Sequence, residues 1–374
     1  MKDEADMAAA PYSYLISLLE QDPENLNLLA DAAEAAFAEA QFDAAQALLD
    51  RQARVQPLSP QSQHLAGLIA MRQLDWARAA ALYREMLDGG HDAPPIRYNL
   101  AWSLAMTKHF EIALGALDEA TSAALPQAAE LEVQLRHQLG QLEQSIERAG
   151  ALLKLHPVHH GLNAAISTLA IDVEDIELAR RTAERGAQHP DALTTRGTLA
   201  LEADDPMAAA ELFDAALVRA PSAPRALIGR GLTRLLGDDK SAAAADIDRG
   251  AELFGTHLGS WVAAGWAHLL AGDRTAARAR FEKAAALDDR FGDAQGSLAV
   301  LDLLEGKTDA ARRRADIARR LDPGSFSAAF AAMLFAIGDG KPDVATRIFE
   351  TALSTPVDEN GKTLAQTLVR LGVR

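Results

Sequence analysis

Along most of the chain, apolar residues recur at intervals of three and four, the period of a helix with one buried face. The runs are short. Between them stand LAGDRTA, LEGKTDA, LLGDDKS, EADDP and IGDGKPD, in which Gly or Asp stops one helix and a polar residue or Pro starts the next. The pattern predicts many medium-length helices in antiparallel pairs, and no stretch reads as strand. Alanine and leucine, which lose little side-chain freedom in a helix, dominate the composition and point the same way.

The pairs keep a register. Aligned on the small residue of GDRTAARARFEKA, the chain shows Ala45, Ala79, Ala113, Ser145, Ala179, Ala209, Ala243, Ala277, Ala311 and Ala345, spaced by 34 residues apart from single steps of 32 and 30. Twelve places earlier come Gly67, Gly197, Gly231 and Gly265; four places later come Leu49, Tyr83, Leu117, Phe213, Ile247, Phe281 and Phe349. Pro57, Pro157, Pro221 and Pro323 close four of the units. The small residues let two helices approach, and the large residue fills the space between neighbouring pairs. No unit of this size buries its own apolar face, so the units must stack.

This pattern resembles the tetratricopeptide repeat, whose signature is W-x2-L-G-x2-Y, then A-x3-F, then proline. The eighth unit matches best, with Trp261, Gly265, Ala277, Phe281 and Ala284. The resemblance implies an all-α fold, a right-handed α-solenoid (superhelix) of helix–turn–helix units. Ten units beginning near 26, 60, 94, 126, 160, 190, 224, 258, 292 and 326 span 26–356. Residues 1–25, with PYSYLISLLEQDP, are expected to form an N-terminal capping helix, and 357–374, with Leu364, Leu368 and Leu371 on one face, a C-terminal one. Around 126–190 the register slips, Ser145 replaces alanine and the first-helix glycine is missing, so altered stacking is expected there. No Pro/Gly/Ser-rich linker intervenes, and one continuous array is expected.

Trp261 and Trp266 point about 140° apart on a helix and cannot share a face. Positions 4, 7, 8 and 11 of the first helix make the packing face, which assigns Trp261 to the core. Positions 5, 9 and 12 form a second stripe, which in the resembled family lines a concave groove where peptides or partner helices dock. Position 5 holds Ile228, Val262, Gly296 and Phe330 in the last four units; position 9 holds Leu232, Trp266, Val300 and Leu334; position 12 holds Leu235, Leu269, Leu303 and Ile337. The third unit adds Tyr98 and Trp102, whereas the fourth has Glu130, Gln134 and His137. The expected binding residues are Tyr98, Trp102, Ile228, Leu232, Val262, Trp266, Val300, Phe330 and Leu334, with position 12 the more buried of the rows. An alternative reading buries the stripe as a second core seam. Trp266→Ala tells the two apart, weakening partner binding in the first case and unfolding the array in the second.

The formal net charge of −16 argues against a phosphate backbone as partner and for a protein or peptide that is basic or apolar. With no cysteine there is no disulfide, thiolate metal site or Cys nucleophile. The opening MKDEADMAAAPYSYL lacks the pattern of a secretory signal, and apolar runs are too short to span a membrane, so a cytoplasmic protein is expected. One arrangement known in the resembled family, a Lys/Asn/Asn/Lys/Arg clamp for a chaperone's terminal carboxylate, is matched only by Asn99, with His64, Leu68 and Glu130 in neighbouring places.

Chemistry is sparse. NGKT at 360–363 lacks the leading glycine of a phosphate loop, with Pro356 in its place. His156, His159 and His160 fall in a turn without a helical H-x-x-x-H pair, so no metal or cofactor is expected. DVEDIE and EADD read as acidic helix starts. Arg312, Arg313, Arg314, Arg319 and Arg320 read as an exposed face paired with Asp309 and Asp316 one turn away. The sequence therefore predicts a non-enzymatic interaction scaffold that holds a peptide or partner helix. The alternatives are an accessory subunit presenting substrates to a separate glycosyl-, sulfo- or hydroxyl-transferring enzyme, and self-association into a homo-oligomer.

Overall fold

The structure is a computed structural model that describes residues 11–237 and 239–354. Among the described residues every regular element is a helix. The chain divides into two compact units between Leu169 and Ala170. The first unit holds α1 (Tyr12–Leu19), then α2 and α3 (Leu26–Ala38, Phe42–Val55), α4 and α5 (Pro60–Arg72, Trp76–Asp88), α6 to α8 (Pro94–Met106, Phe110–Ala116, Glu119–Ala124), and α9 and α10 (Pro126–Gln138, Leu142–Leu155). The helix α11 (His160–Asp172) runs across the division. The second unit continues with α12 (Ile176–Arg185), α13 and α14 (Pro190–Glu202, Pro206–Arg219), and α15 and α16 (Pro224–Leu235, Lys240–Phe254). It ends with α17 and α18 (Leu258–Leu270, Arg274–Leu287), α19 and α20 (Gly292–Leu304, Thr308–Leu321), and α21 and α22 (Phe326–Gly338, Pro342–Ser354). The expected C-terminal cap and NGKT lie outside the described residues, as do residues 1–10 of the N-terminal segment.

The turn inside each pair is the same device repeated. Five residues before the aligned small residue, the backbone enters the left-handed region at Ala40, Leu74, Lys108, Gly140, Glu174, Asp204, Gly272, Gly306 and Gly340. The next N–H reaches back to a carbonyl of the preceding helix, as from Asp75 to Ala70 and from Asp273 to His268, both at 2.9 Å, which satisfies an end-of-helix acceptor. That same residue then caps the second helix wherever it is Asp: Asp75, Asp175, Asp205, Asp239 and Asp273 each accept the N–H three residues on. Proline opens several first helices, at Pro60, Pro94, Pro126, Pro190 and Pro224, where its missing N–H costs no bond.

Packing explains why the small and large positions travel together. The aligned residues from Ala45 to Ala345, Ser145 included, are all buried. A Cβ on Gly67 would come within 2.5 Å of the Tyr83 ring, and one on Gly197 within 2.7 Å of Phe213; Gly265 meets Phe281 in the same way. Glycine is required there because ring atoms occupy the space that a Cβ would take.

The array departs from regularity one helix earlier than expected. The second helix of the third pair breaks at Leu117 and Asp118, splitting into α7 and α8. Asp118 recaps the chain by accepting the Thr121 N–H at 2.7 Å. Arg97 braces the break through the Ala116 carbonyl at 3.3 Å and the Asp118 carboxylate at 3.2 Å.

Candidate partner-binding face

In the second unit the fifth and ninth positions of the first helices α15, α17, α19 and α21 carry seven of the residues expected to bind a partner. Trp261, on the packing face, is buried, and its indole N–H donates to the Gly255 carbonyl at 2.7 Å. Trp266 is half-buried. Its indole N–H donates to Ser297 Oγ at 3.0 Å, and its ring meets Phe281 and Phe330 edge-on, with centroids 5.7 and 6.0 Å away. Phe330 in turn stacks on Phe326. Trp266 is thus a strut between three helices with part of its surface left to solvent, so its truncation costs packing as well as any contact with a partner.

Val300 is a correction. It is only 1% exposed, enclosed with Ala299 and Ala331 beneath Trp266, Phe330 and Leu334, and cannot touch a partner. The physical reason is its neighbour Gly296: without a side chain there, α21 comes so close that a Cβ would sit 2.6 Å from the Ala328 nitrogen. The order of burial also differs from expectation. Position 12 is no deeper than position 9, since Leu235, Leu269 and Leu303 are half-buried and Ile337 is 54% exposed.

Ile228 and Leu232, both half-buried, line a cavity of about 360 Å³ bounded by α11, α13, α15 and α17. Leu201, Phe213 and Phe254 supply the rest of its apolar wall, while Thr198, Arg225, His257 and Ser260 supply polar groups. The Arg225 guanidinium forks onto the Asp172 carboxylate at 2.6 and 3.0 Å and lies 5.9 Å from the centre of the Phe254 ring. At His257, Nδ1 accepts the Ser260 N–H at 3.2 Å and caps α17, which leaves the neutral ring's proton on Nε2. An apolar pocket with a few placed donors binds one side chain and fixes its direction.

In the first unit, Tyr98 and Trp102 lie one turn apart on α6 with ring centroids 6.2 Å apart, both half-buried. Burial, helped by the nearby Glu130 carboxylate, pushes the Tyr98 phenol above its ordinary value. Around them the chemistry is polar: Gln134 donates to Glu130 at 3.2 Å, and His159 Nδ1 lies 3.8 Å from Glu130. The nine residues of the sequence-based site therefore fall into a pair in the first unit and seven residues in the second. Of those seven, Ile228 and Leu232 share the cavity; Val262 lies half-buried on α17; Trp266, Phe330 and Leu334 cover Val300.

The remaining sequence features have structural roles. His159 Nδ1 accepts the Leu162 N–H at 3.1 Å, and a ring nitrogen of His156 lies 2.8 Å from the Ser122 carbonyl. Among the described residues no group of three or more His, Asp or Glu side chains could hold a metal ion. The arginines of α20 pair across helices more than along their own: Arg314 with Asp302 and Arg312 with Asp339, both at 3.0 Å, while Arg319 reaches Asp316 at 3.8 Å.

Of the residues that the sequence reading missed, Ile171, Thr198 and Leu201 carried a usable signal. Ile171 and Leu201 hold position 12 and Thr198 position 9 of the fifth and sixth units, so extending the stripe two units back would have found them. Phe254 and His257, in α16 and the turn after it, had no such signal.

The helix pairs, their left-handed turns and their glycine–aromatic contacts define a class, the helical-repeat solenoids built for interaction surfaces. Residues 194–256 match the tetratricopeptide repeat family model. No curated protein matches. Among solved structures it is similar to the human IFIT1 dimer with m7Gppp-AAAA, at 12% identity and a TM-score of 0.52 over 93% of this chain and 95% of that one. It is also similar to MamA (22% identity, TM-score 0.34, 42% of this chain and 92% of that one) and to PilF of Pseudomonas aeruginosa (17%, 0.42, 52% and 92%). No described helix is long and apolar enough to cross a membrane.

Proposed function

We propose that this chain is a non-catalytic interaction scaffold whose second unit holds an extended segment of a partner protein, with one bulky apolar side chain seated between α13, α15 and α17. The cavity beside Ile228 and Leu232 carries this reading: it is apolar inside and polar at Arg225 and His257, the pattern of a pocket that takes a side chain and orients the backbone beside it. Val262 and Trp266 extend the apolar surface along α17, and a fully buried large side chain contributes about 1.5–3 kcal/mol before ordering costs. The similar IFIT1 structure is that of a dimer with m7Gppp-AAAA. At 12% identity that likeness concerns the fold, and the apolar wall of this cavity suits a side chain better than a phosphate.

The test starts from peptides selected by display against the full chain. The expected peptides carry a bulky apolar residue, and Ile228→Glu, which puts a carboxylate in the cavity wall, weakens their binding at least about tenfold while circular dichroism stays unchanged. Peptides that bind Ile228→Glu as tightly as the wild type would refute the proposal.

A further inference from the structure

The helix α20 lends none of its arginines to the lining of the cavity beside Ile228. Its surroundings are unusual in another way. The helix α21 leans on α19: Ser297 and Ser327 hydroxyls meet at 3.2 Å, and Ser325 Oγ donates to the Asp293 carboxylate at 2.6 Å. On the other side of α21, between α20 and α22, two adjoining cavities of about 330 and 470 Å³ form a cleft. Its floor is apolar, with Ala328, Ala332, Val344 and Ile348 shared by both cavities. Its rim is cationic, with Arg312 and Arg319 on α20 and Arg347 on α22.

We infer that this cleft is a second docking site, separate from the cavity beside Ile228, and that it takes an acidic amphipathic helix of a partner protein. The argument is charge and shape together. In a chain of net charge −16, three arginines around one apolar trough are a local reversal that selects carboxylates. Arg312 and Arg319 keep carboxylates of their own, Asp339 and Asp316, at 3.0 and 3.8 Å, so their charge is partly spent; among the described residues no carboxylate stands within ion-pair distance of Arg347. Arg312 also lies over the Phe335 ring at 4.7 Å, which holds it at the edge of the floor. A trough between two helices receives a third helix by its apolar stripe, and glutamates flanking that stripe would meet the rim.

The probe is a labelled synthetic amphipathic helix with leucines along one stripe and glutamates beside them, set against its glutamine counterpart. The full-length chain is expected to bind the glutamate peptide at least about tenfold more tightly than the glutamine one. Arg319→Glu with Arg347→Glu should abolish that preference, and Ala332→Trp, which fills the floor, should abolish binding of both, with circular dichroism unchanged in each. Equal binding of the two peptides, binding that survives Ala332→Trp, or failure of the full-length chain to bind either would overturn the inference. So would tighter binding of a single-stranded RNA oligonucleotide at the same residues, or self-association of the chain that Arg319→Glu abolishes, which would make a second copy the occupant.

Discussion

The fourth and eighth helix pairs fill the same space in opposite ways. In the eighth, Gly265 on the first helix makes room for Phe281 on the second. In the fourth, the equivalent positions hold Val133 and Ala149, both buried, so the bulk has moved to the first helix. What persists is the combined volume between two helices, and a glycine–aromatic signature is one way to supply it. The fourth pair also carries charge inward: Glu132, almost fully buried, takes Arg148 at 3.0 Å and Arg136 at 3.2 Å. Its outer stripe is correspondingly polar, with Glu130, Gln134 and His137 where the eighth pair has Val262, Trp266 and Leu269.

The contrast is open to direct attack. Phe281→Ala should cost about 3–5 kcal/mol in urea unfolding, because the glycine opposite cannot refill the void. In the fourth pair, Ala149→Phe alone should cost about 1–3 kcal/mol by overpacking, whereas Val133→Gly with Ala149→Phe should recover much of that loss. Additive losses in the double variant would show that the two positions do not share a space. Ser145 is buried with no hydrogen-bond partner for its hydroxyl, at a place where the other units have alanine. Ser145→Ala should therefore stabilise the chain by about 1 kcal/mol, read as a raised unfolding midpoint.

The smallest effect concerns the polar stripe of the first unit. Burial lowers the pKa of His64, which holds position 5 of its unit, below its ordinary 6.5. The unfolded chain thus takes up a proton that the folded one refuses, and stability should fall as pH drops below 6.5. His64→Gln should remove that part of the pH dependence. An unchanged pH profile would mean that the imidazole is not protected by the fold.

The repeat was legible because close helix approach and the left-handed turn each constrain residue type in every unit. The aligned alanines and the positive-φ residues keep the same step, with Ala40 five before Ala45 and Gly340 five before Ala345. The break at Leu117 was not legible, since it depends on Arg97 reaching over from α6. Nor was the burial of Val300, because a stripe position is covered or bare according to how near the next helix comes, and Gly296 decides that for α21. Tyr98 and Trp102 were picked out by type, but the cavity beside Ile228 also takes its walls from Phe213 and Phe254 in second helices, which a first-helix stripe does not contain.

Ala263 lines that cavity from α17 and is half-buried, so Ala263→Trp can fill it without entering the core. Calorimetric titration of a display-selected peptide into this variant should show binding lost, with the unfolding midpoint close to that of the wild type. An unchanged Kd would mean that the partner segment lies elsewhere and that the cavity is only a packing defect.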